Sequence, residues 1–323
     1  GKLKFEGEYL NGERNGKGRE YYYDGKLIFE GEYFNGKKWN GKGYNKEGKI
    51  DFEINEGSGK GKEYHYDGKL EYAGEYLNGE RNGNGKEYYE NGKLEYVGEY
   101  LYGKRNGKGK EYNNKGKFKF EGEYLKGERN GKGTEYDYDG KLIFEGKYLN
   151  GKRNGKGKEF YNNVKLKFEG KYLNGQRNGK GNEYYYNGKL KFEGEYLNGE
   201  RNGNGKEYDN SKLCFEGEYS KGEKKGKGKE YYYNGELRFE GEYLKGERNG
   251  KGKEYNKDGK LIFEGEYLDG KKWNGNGYNI KGNIDYKIKD GKGNIKEYNY
   301  EGKLIFEGEY LKGERNGKGK EYN

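Results

Sequence analysis

The chain has 323 residues, enough for one to three ordinary globular domains, but only 47 of them are Leu, Ile, Val or Phe. That share is below the roughly 20% at which a composition starts to resemble a disordered chain. Forty tyrosines and a net charge of only +10 argue against disorder, because disordered chains have few aromatic residues and a high net charge. The composition favours an ordered protein without a conventional apolar core.

Proline is absent, so every residue keeps a backbone N–H that can pair in a sheet. Cys214 is the only cysteine, which excludes an intramolecular disulfide and a cysteine-rich zinc site and fits a reducing compartment. No run of about 18 apolar residues occurs, so we expect no transmembrane helix. These features predict a cytoplasmic protein and leave association with a membrane or the cytoskeleton open.

A repeat of mostly 24 residues runs through residues 1–323 as one continuous array. Glycine interrupts the chain too often for helices, whereas strands of about five to eight residues fit between the glycines. Fourteen repeats begin near Gly1, Gly25, Gly48, Gly68, Gly92, Gly116, Gly140, Val164, Gly188, Ser211, Gly235, Gly259, Gly282 and Gly302.

The first strand of the first repeat shows the alternation of a half-buried β-strand. In K-L-K-F-E-G-E-Y-L, one face carries Phe5, Gly7 and Tyr9, and the other carries Lys4 and Glu6. The small Gly7 leaves space between two aromatic residues, into which we expect neighbouring rings to lean.

The turns follow from two Gly-containing segments. Residues 11–16 are predicted to form a turn, with Leu10 opposite Lys17, and Asp24 with Gly25 is predicted to close a two-residue hairpin. This register places three residues of the return strand on the face of the aromatic residues: Gly18, Glu20 and Tyr22.

Each repeat therefore reads as one antiparallel hairpin that pairs directly with the next. The predicted fold is all-β: an elongated, single-layer, open and twisted ribbon of about 28 strands, without helices. Such an array has only nearest-neighbour contacts, so its stability sums over repeats and their interfaces.

The pattern F-E-G-E-Y-L-N-G-E-R-N-G-K-G at residues 5–18 resembles the MORN repeat. It departs from the family's usual pattern in carrying Asn at position 15 and Tyr at position 9, where His and Trp are commoner, and so looks like the variant form of the repeat. The resemblance implies a non-catalytic scaffold that binds proteins, with lipid binding as a second property.

A protein partner is the first functional expectation. We expect an extended or helical partner segment to bind along the aromatic face, contacting Phe5, Tyr9 and Tyr22, because tyrosine-rich surfaces offer contact area at little entropic cost. The strand edges at the two ends of the array also invite end-to-end self-association.

Two related breaks interrupt the repeat, in the irregular pairs 25–67 and 259–301. Each contains one of the two tryptophans, Trp39 and Trp273, followed by a repeat shortened to 20 residues. Tryptophan is enriched at binding hot spots, so both are candidate partner contacts. The alternative is that each ring fills space left by its shortened neighbour.

Residues 140–187 are strongly basic, with 11 Lys or Arg against 4 Glu. Such a segment attracts an acidic partner or the anionic phospholipid headgroups of a membrane, unless it is simply a solvated face. The candidate contacts are Lys147, Lys152, Arg153, Lys156, Lys158, Lys171 and Arg177, of which Lys147 and Lys171 stand where the first repeat has Glu8.

Catalytic chemistry is poorly represented. His65 is the only histidine and lies about six repeats from Cys214 in the sequence, so no nucleophile and base can be assembled. No cofactor motif occurs and no metal site is predicted, because the oxygen ligands are scattered. Glutamate interleaves with lysine and would repel phosphates, so nucleic acid is an unlikely partner. A rigid spacer for other domains remains open.

Overall fold

A computed structural model describes residues 1–65, 67–162, 164–299 and 302–323. Contacts divide the chain into Gly1–Val164, here the first half, and Lys165–Asn323, here the second half. Within the described residues both halves consist of strands and turns, without a helix. The predicted all-β hairpin array is confirmed.

The strands of the first half are β1 Phe5–Leu10, β2 Glu13–Tyr21, β3 Leu27–Phe34, β4 Lys37–Tyr44, β5 Ile50–Ile54, β6 Gly59–Tyr64, β7 Leu70–Leu77, β8 Glu80–Tyr88, β9 Leu94–Leu101, β10 Lys104–Tyr112, β11 Phe118–Leu125, β12 Glu128–Tyr136, β13 Leu142–Leu149 and β14 Lys152–Phe160. Those of the second half are β15 Leu166–Leu173, β16 Gln176–Tyr184, β17 Leu190–Leu197, β18 Glu200–Asp209, β19 Lys212–Ser220, β20 Glu223–Tyr231, β21 Leu237–Leu244, β22 Glu247–Tyr255, β23 Leu261–Leu268, β24 Lys271–Tyr278, β25 Ile284–Ile288, β26 Gly293–Tyr298, β27 Leu304–Leu311 and β28 Glu314–Glu321.

Within each half, strands pair antiparallel with their chain neighbours, so the sheets are open meanders. In the first half β1 to β5 form one sheet, and β6 to β14 pair in succession after it. In the second half β15 to β25 pair in succession, and β26 to β28 follow. In each shortened repeat the backbone pairing of the hairpin is an isolated bridge, Asn55 with Ser58 and Lys289 with Lys292, instead of a continuous ladder.

The predicted turn at residues 11–16 is wrong in length. The turn is only Asn11 and Gly12, with Leu10 opposite Glu13 instead of Lys17. Both turn residues have positive φ, at 51° and 85°, which defines the type I′ turn that Asn-Gly favours. The sequence signal for this turn was present, but the Gly16 that follows belongs to a bulge within the return strand.

The shorter connection also differs from its prediction. Tyr22 N–H donates to the Lys26 carbonyl at 2.8 Å, and Gly25 N–H donates to the Tyr22 carbonyl at 2.9 Å. The loop therefore has three residues, with Gly25 in the left-handed region at φ 84°. This is the hairpin loop with a glycine bulge, the next most common type after the two-residue turn.

The prediction of which residues share a face survives the register error. Phe5 lies opposite Glu20, and Gly7 lies opposite Gly18. The true pairing differs from the predicted one by two residues at Phe5 and by four at Leu10. An even shift keeps every side chain on its own face because the strand period is two.

Candidate functional site

A continuous row of aromatic rings lies on one face of the strands. In the first half, Phe120 meets Tyr124 at 5.6 Å and Tyr148 at 5.1 Å between ring centres, and Phe144 meets Tyr148 at 5.6 Å. The rings meet edge to face, an arrangement that contributes about 0.5 to 1.5 kcal/mol per pair beyond the buried area. All four are buried, so the row is the core of this thin fold.

Arginine and glutamate side chains cover the rings on their outer side. The guanidinium of Arg129 lies 4.1 Å from the centre of the Phe120 ring and donates to Glu111 at 2.7 Å. The hydroxyl of Tyr124 donates to the same carboxylate at 2.7 Å. Burial raises the pKa of Glu111, but Arg129 and Tyr124 outweigh it, so the pKa lies below its ordinary value. The ion pairs close the aromatic face to solvent.

The same cover exists in the second half. Arg248 lies 4.0 Å from the ring centre of Phe239 and bonds to both Glu230 and Glu254. Burial raises the pKa of Glu254, but the charges of Lys272 and Arg248 outweigh it and lower the pKa to about 2. A ladder of cations and carboxylates therefore lies over the rings there as well.

The aromatic residues expected to contact a partner lie mostly inside this layer. Tyr22 is 1% exposed, and its hydroxyl donates to the carbonyl of Tyr44 at 3.0 Å, so it cannot present its ring to a partner. Phe5 is half-buried and packs against Tyr33 at 5.2 Å. Only Tyr9, in the first strand, is exposed, at 59%. The expectation of an open aromatic surface is corrected for Tyr22.

Both tryptophans are half-buried beside a shortened hairpin. The carbonyl of Trp39 accepts from Gly57 N–H at 2.7 Å, and its ring meets Phe34 at 5.2 Å. The carbonyl of Trp273 accepts from Gly291 N–H at 2.9 Å. Both glycines lie so close to the indole rings that an added Cβ would clash. These contacts agree with the alternative that the tryptophans fill space beside the shortened repeats.

An open groove of about 1050 Å³ runs along the opposite face of the second half. Its floor is a row of glycines, one from each of the strands β16 to β23: Gly181, Gly194, Gly205, Gly217, Gly228, Gly241, Gly252 and Gly265. Strands lie roughly 4.8 Å apart, which makes the floor about 34 Å long.

The aromatic row explains why the floor is made of glycine. A Cβ added to Gly205 would lie 2.3 Å from the Phe192 ring, and one added to Gly228 would lie 2.6 Å from the Phe215 ring. The rings occupy the space of the missing side chains on one face, and the glycines add no side chain to the other face.

Charged side chains of alternating sign border the floor. Lys206 lies opposite Glu216, which in turn lies opposite Lys229, and Lys229 lies opposite Glu240. The pairs in this wall are about half exposed, as in Lys253 to Glu264 at 3.1 Å. The walls carry both signs in close alternation.

A smaller groove of about 460 Å³ lies in the first half, over the glycines Gly61, Gly74 and Gly85. Here Ala73 and Val97 stand where the second half has wall glutamates. The sequence predicted neither groove, although the recurring glycines were visible in it. A groove forms only on the face that the rings leave open, and packing between hairpins decides which face that is.

The basic residues expected to bind an anion divide between the two faces. Arg153 lies 4.2 Å from the Phe144 ring centre and pairs with Glu135 at 2.6 Å, so it belongs to the cover of the aromatic row. In the second half, Arg177 lies 4.1 Å from the Phe168 ring centre.

The lysines of that set are exposed. Lys147, Lys156 and Lys158 lie on the groove face of the first half, and Lys158 is opposite Glu145. Lys152 begins β14, opposite Leu149. In the second half, Lys171 is exposed too.

The residues of possible chemical interest are dispersed. His65 lies 3.7 Å from Glu71, and burial raises the pKa of the half-buried Cys214. Across residues 1–65, 67–162, 164–299 and 302–323, no three His, Cys, Asp or Glu side chains gather as metal ligands would. Nor does the described part of the chain contain a helix long and apolar enough to cross a membrane.

The strands, the aromatic row and the glycine floor define an all-β hairpin repeat protein. The MORN repeat model matches residues 5–26, 72–93, 96–117, 120–141, 144–163, 192–212, 215–236, 239–260 and 306–322, and the MORN repeat variant matches residues 58–78 and 177–198. The chain therefore belongs to the MORN repeat family, as its sequence predicts.

No curated protein matches the sequence significantly. Among solved structures, similar chains are found in the crystal structure of TcdB2-TccC3 without its hypervariable C-terminal region and in the Photorhabdus luminescens Tc holotoxin pore. The first is 11% identical with a TM-score of 0.18, covering 90% of this chain. The second is 12% identical with a TM-score of 0.18, covering 89%. This chain spans only 18% of the length of either.

Proposed function

We propose that the protein is a non-catalytic scaffold that binds an extended segment of a partner protein along the glycine-floored groove of the second half. The groove itself carries this proposal. Its floor is glycine backbone over eight strands, partly exposed at Gly194, Gly217, Gly241 and Gly265 and buried at the other four glycines. Glycine allows another chain to approach closely. The aromatic row supports the floor from behind and takes no direct part in binding.

The width of the groove favours an extended partner over a helical one. The two walls come from the residues before and after each floor glycine, such as Glu193 and Glu195 around Gly194. Alternate residues of a strand are about 6.8 Å apart, whereas a helix with its side chains is about 10 to 12 Å across. An extended segment of roughly ten residues would occupy a 34 Å floor.

The charges of the walls favour a polypeptide partner. Lysine and glutamate alternate from one strand to the next, as in Lys229 between Glu216 and Glu240. A polypeptide with both acidic and basic side chains can match such a pattern, while a uniformly negative phosphate backbone cannot.

Affinity capture with the full chain tests the proposal. We compare the unaltered protein with a variant carrying Glu216→Lys and Glu240→Lys in one wall. The control carries Glu200→Lys and Glu247→Lys, which make the same charge change at exposed residues at the starts of β18 and β22. Circular dichroism verifies that all three proteins retain their sheets.

We expect the unaltered chain and the control to capture the same protein, the wall variant to lose it, and cross-links to join it to the groove walls. A partner retained equally by the wall variant would contradict binding in the groove. Failure of the unaltered chain to capture any protein would contradict the scaffold and favour the rigid spacer.

A further inference from the structure

In most repeats, a glutamate carboxylate fills a bulge in the return strand. Glu99 accepts from Lys108 N–H at 3.1 Å, and Glu242 accepts from Lys251 N–H at 3.0 Å. The glycine just before each lysine, Gly107 or Gly250, has positive φ, at 72° and 98°. A left-handed residue in a turn or bulge directs successive N–H groups to one side and makes a concavity that binds anions. The chain thus supplies its own anion to this site.

The bulge of β14 lacks this carboxylate because Lys147 replaces the glutamate. Gly155 keeps the positive φ of 79°, and the aliphatic part of Lys147 passes over it, with Cδ 3.5 Å from the position of an added Cβ. Lysine has no acceptor atom, so it cannot receive the N–H of Lys156. The anion concavity is retained while its internal anion is lost.

Three lysine residues lie in or beside this concavity. Lys132 lies directly opposite Lys147 on β12, where the equivalent pair in the first sheet is Lys17 opposite Glu32. Lys156 lies in the bulge itself. Within the described part of the chain, none of Lys132, Lys147 and Lys156 forms an ion pair, and all three are exposed.

Two glutamates lie near the three lysines. Glu123 on β11 accepts from the N–H of Lys132 at 3.3 Å. Glu145, two residues before Lys147 on β13, lies opposite Lys158. The local charge is therefore positive, and like charges in direct opposition destabilise a sheet unless a counter-ion joins them.

We propose that the bulge of β14, bordered by Lys132, Lys147 and Lys156, binds a phosphate group from outside the chain. The phosphate takes the place that a glutamate carboxylate holds in the regular repeats. A phosphate monoester carries about 1.5 to 2 negative charges and three acceptor oxygens, and so matches three ammonium groups and a backbone N–H better than a carboxylate does. This site is independent of the proposed groove function.

The second half contains a weaker version of the same replacement. Lys171 passes over Gly179, which has a φ of 80°. There, however, Glu195 lies directly opposite the bulge residue Lys180. We therefore place the phosphate at Lys147.

Calorimetric titration of the full chain with inorganic phosphate tests the site. Lys147→Glu restores the carboxylate of the regular repeat, so it removes the site without harming the fold. Lys17→Glu is the matched control, because Lys17 occupies the equivalent bulge of β2 and the charge change is the same. Glu242→Lys transplants the site, because Lys227 lies opposite position 242 and Lys251 lies in the following bulge.

We expect phosphate to bind the unaltered chain and the Lys17→Glu control with the same affinity, and to bind Lys147→Glu at least tenfold more weakly. Glu242→Lys should bind one phosphate more than the unaltered chain. Equal binding to Lys147→Glu, or no binding to the unaltered chain, overturns the proposal. Flotation with phosphatidylcholine vesicles containing phosphatidic acid separates the sources of the phosphate. Flotation lost in Lys147→Glu indicates a lipid headgroup, and phosphate binding without flotation indicates a soluble ligand.

Discussion

The guanidinium of Arg129 lies 4.1 Å from the centre of the Phe120 ring. The ring in turn covers the backbone of Gly133, where an added Cβ would lie 2.3 Å from Phe120 Cζ. The order of glycine, ring and guanidinium recurs at Gly205, Phe192 and Arg201 in the second half. A chain poor in aliphatic residues thus obtains a core from aromatic rings and their charged cover.

We expect Glu111→Gln to lower the free energy of unfolding by about 1.5 to 3 kcal/mol, since it weakens charge-assisted bonds to Arg129 and Tyr124. The control is Glu121→Gln, whose exposed pair with Lys110 should contribute less than about 1 kcal/mol. Urea unfolding followed by circular dichroism measures both. Equal effects of the two substitutions would show that the ion pairs over the rings stabilise the fold no more than exposed ion pairs do.

The protein should lose stability in acid. The pKa of Glu254 is lowered from 4.5 to about 2, and that of Glu111 is lowered too. A carboxylate with a depressed folded-state pKa stabilises the fold above its unfolded value, and this contribution is lost as pH falls from about 4.5 towards 2. The urea concentration at the midpoint of unfolding should decrease as the pH is lowered to about 2, and it should decrease less steeply for Glu254→Gln. An unchanged midpoint across this pH range would show that the carboxylates over the rings do not make the fold sensitive to acid.

Stability should also fall in strong alkali. Burial, then a hydrogen bond to a glutamate, raises the pKa of Tyr208 and of Tyr255 from 10 to about 12. A raised folded-state pKa gives stability that is complete below pH 10 and is lost as pH rises from 10 through 12. Tyrosinate absorbance and circular dichroism, recorded together, should change in the same range. Ionisation of these tyrosines near pH 10 in a folded protein would contradict their burial.

Gly205→Ala should destabilise the second half by about 1 to 3 kcal/mol, because the new methyl group meets the Phe192 ring. In the Phe192→Leu background the same substitution should cost less, since the ring that it meets is gone. A double-mutant cycle in urea measures this coupling. Additive effects of the two substitutions would mean that ring and glycine do not share the space.

Lys245→Asn should stabilise the protein by roughly 0.5 to 1 kcal/mol, because Lys245 holds a φ of 51° in the first position of its turn and asparagine tolerates this region better. The reciprocal change, Asn198→Lys at a φ of 51°, should cost a similar amount. The comparison of the two urea midpoints with the unaltered chain decides the matter, and shifts of the same sign would refute the conformational explanation.

Local signals in the sequence predicted much of the fold. The alternation of Phe5, Gly7 and Tyr9 fixed the face of each side chain, and the glycine spacing excluded helices. The register was wrong by two residues at Phe5 and by four at Leu10, because the second Asn-Gly of the first repeat, at Asn15 and Gly16, resembles a turn but lies in a bulge within β2. Local sequence cannot distinguish these cases, since both use a left-handed glycine.

The sequence by itself determined the repeat, its strands, its family and the positions where lysine replaces glutamate. Only the tertiary structure decided that the rings pack inward under arginines, that glycines line an open groove, and that Arg153 and Lys147 lie on opposite faces. The physical reason is that periodicity assigns side chains to a face, whereas which face is covered depends on contacts between neighbouring hairpins. Those contacts join residues about 18 positions apart, as in Arg129 with Glu111, and no local pattern specifies them.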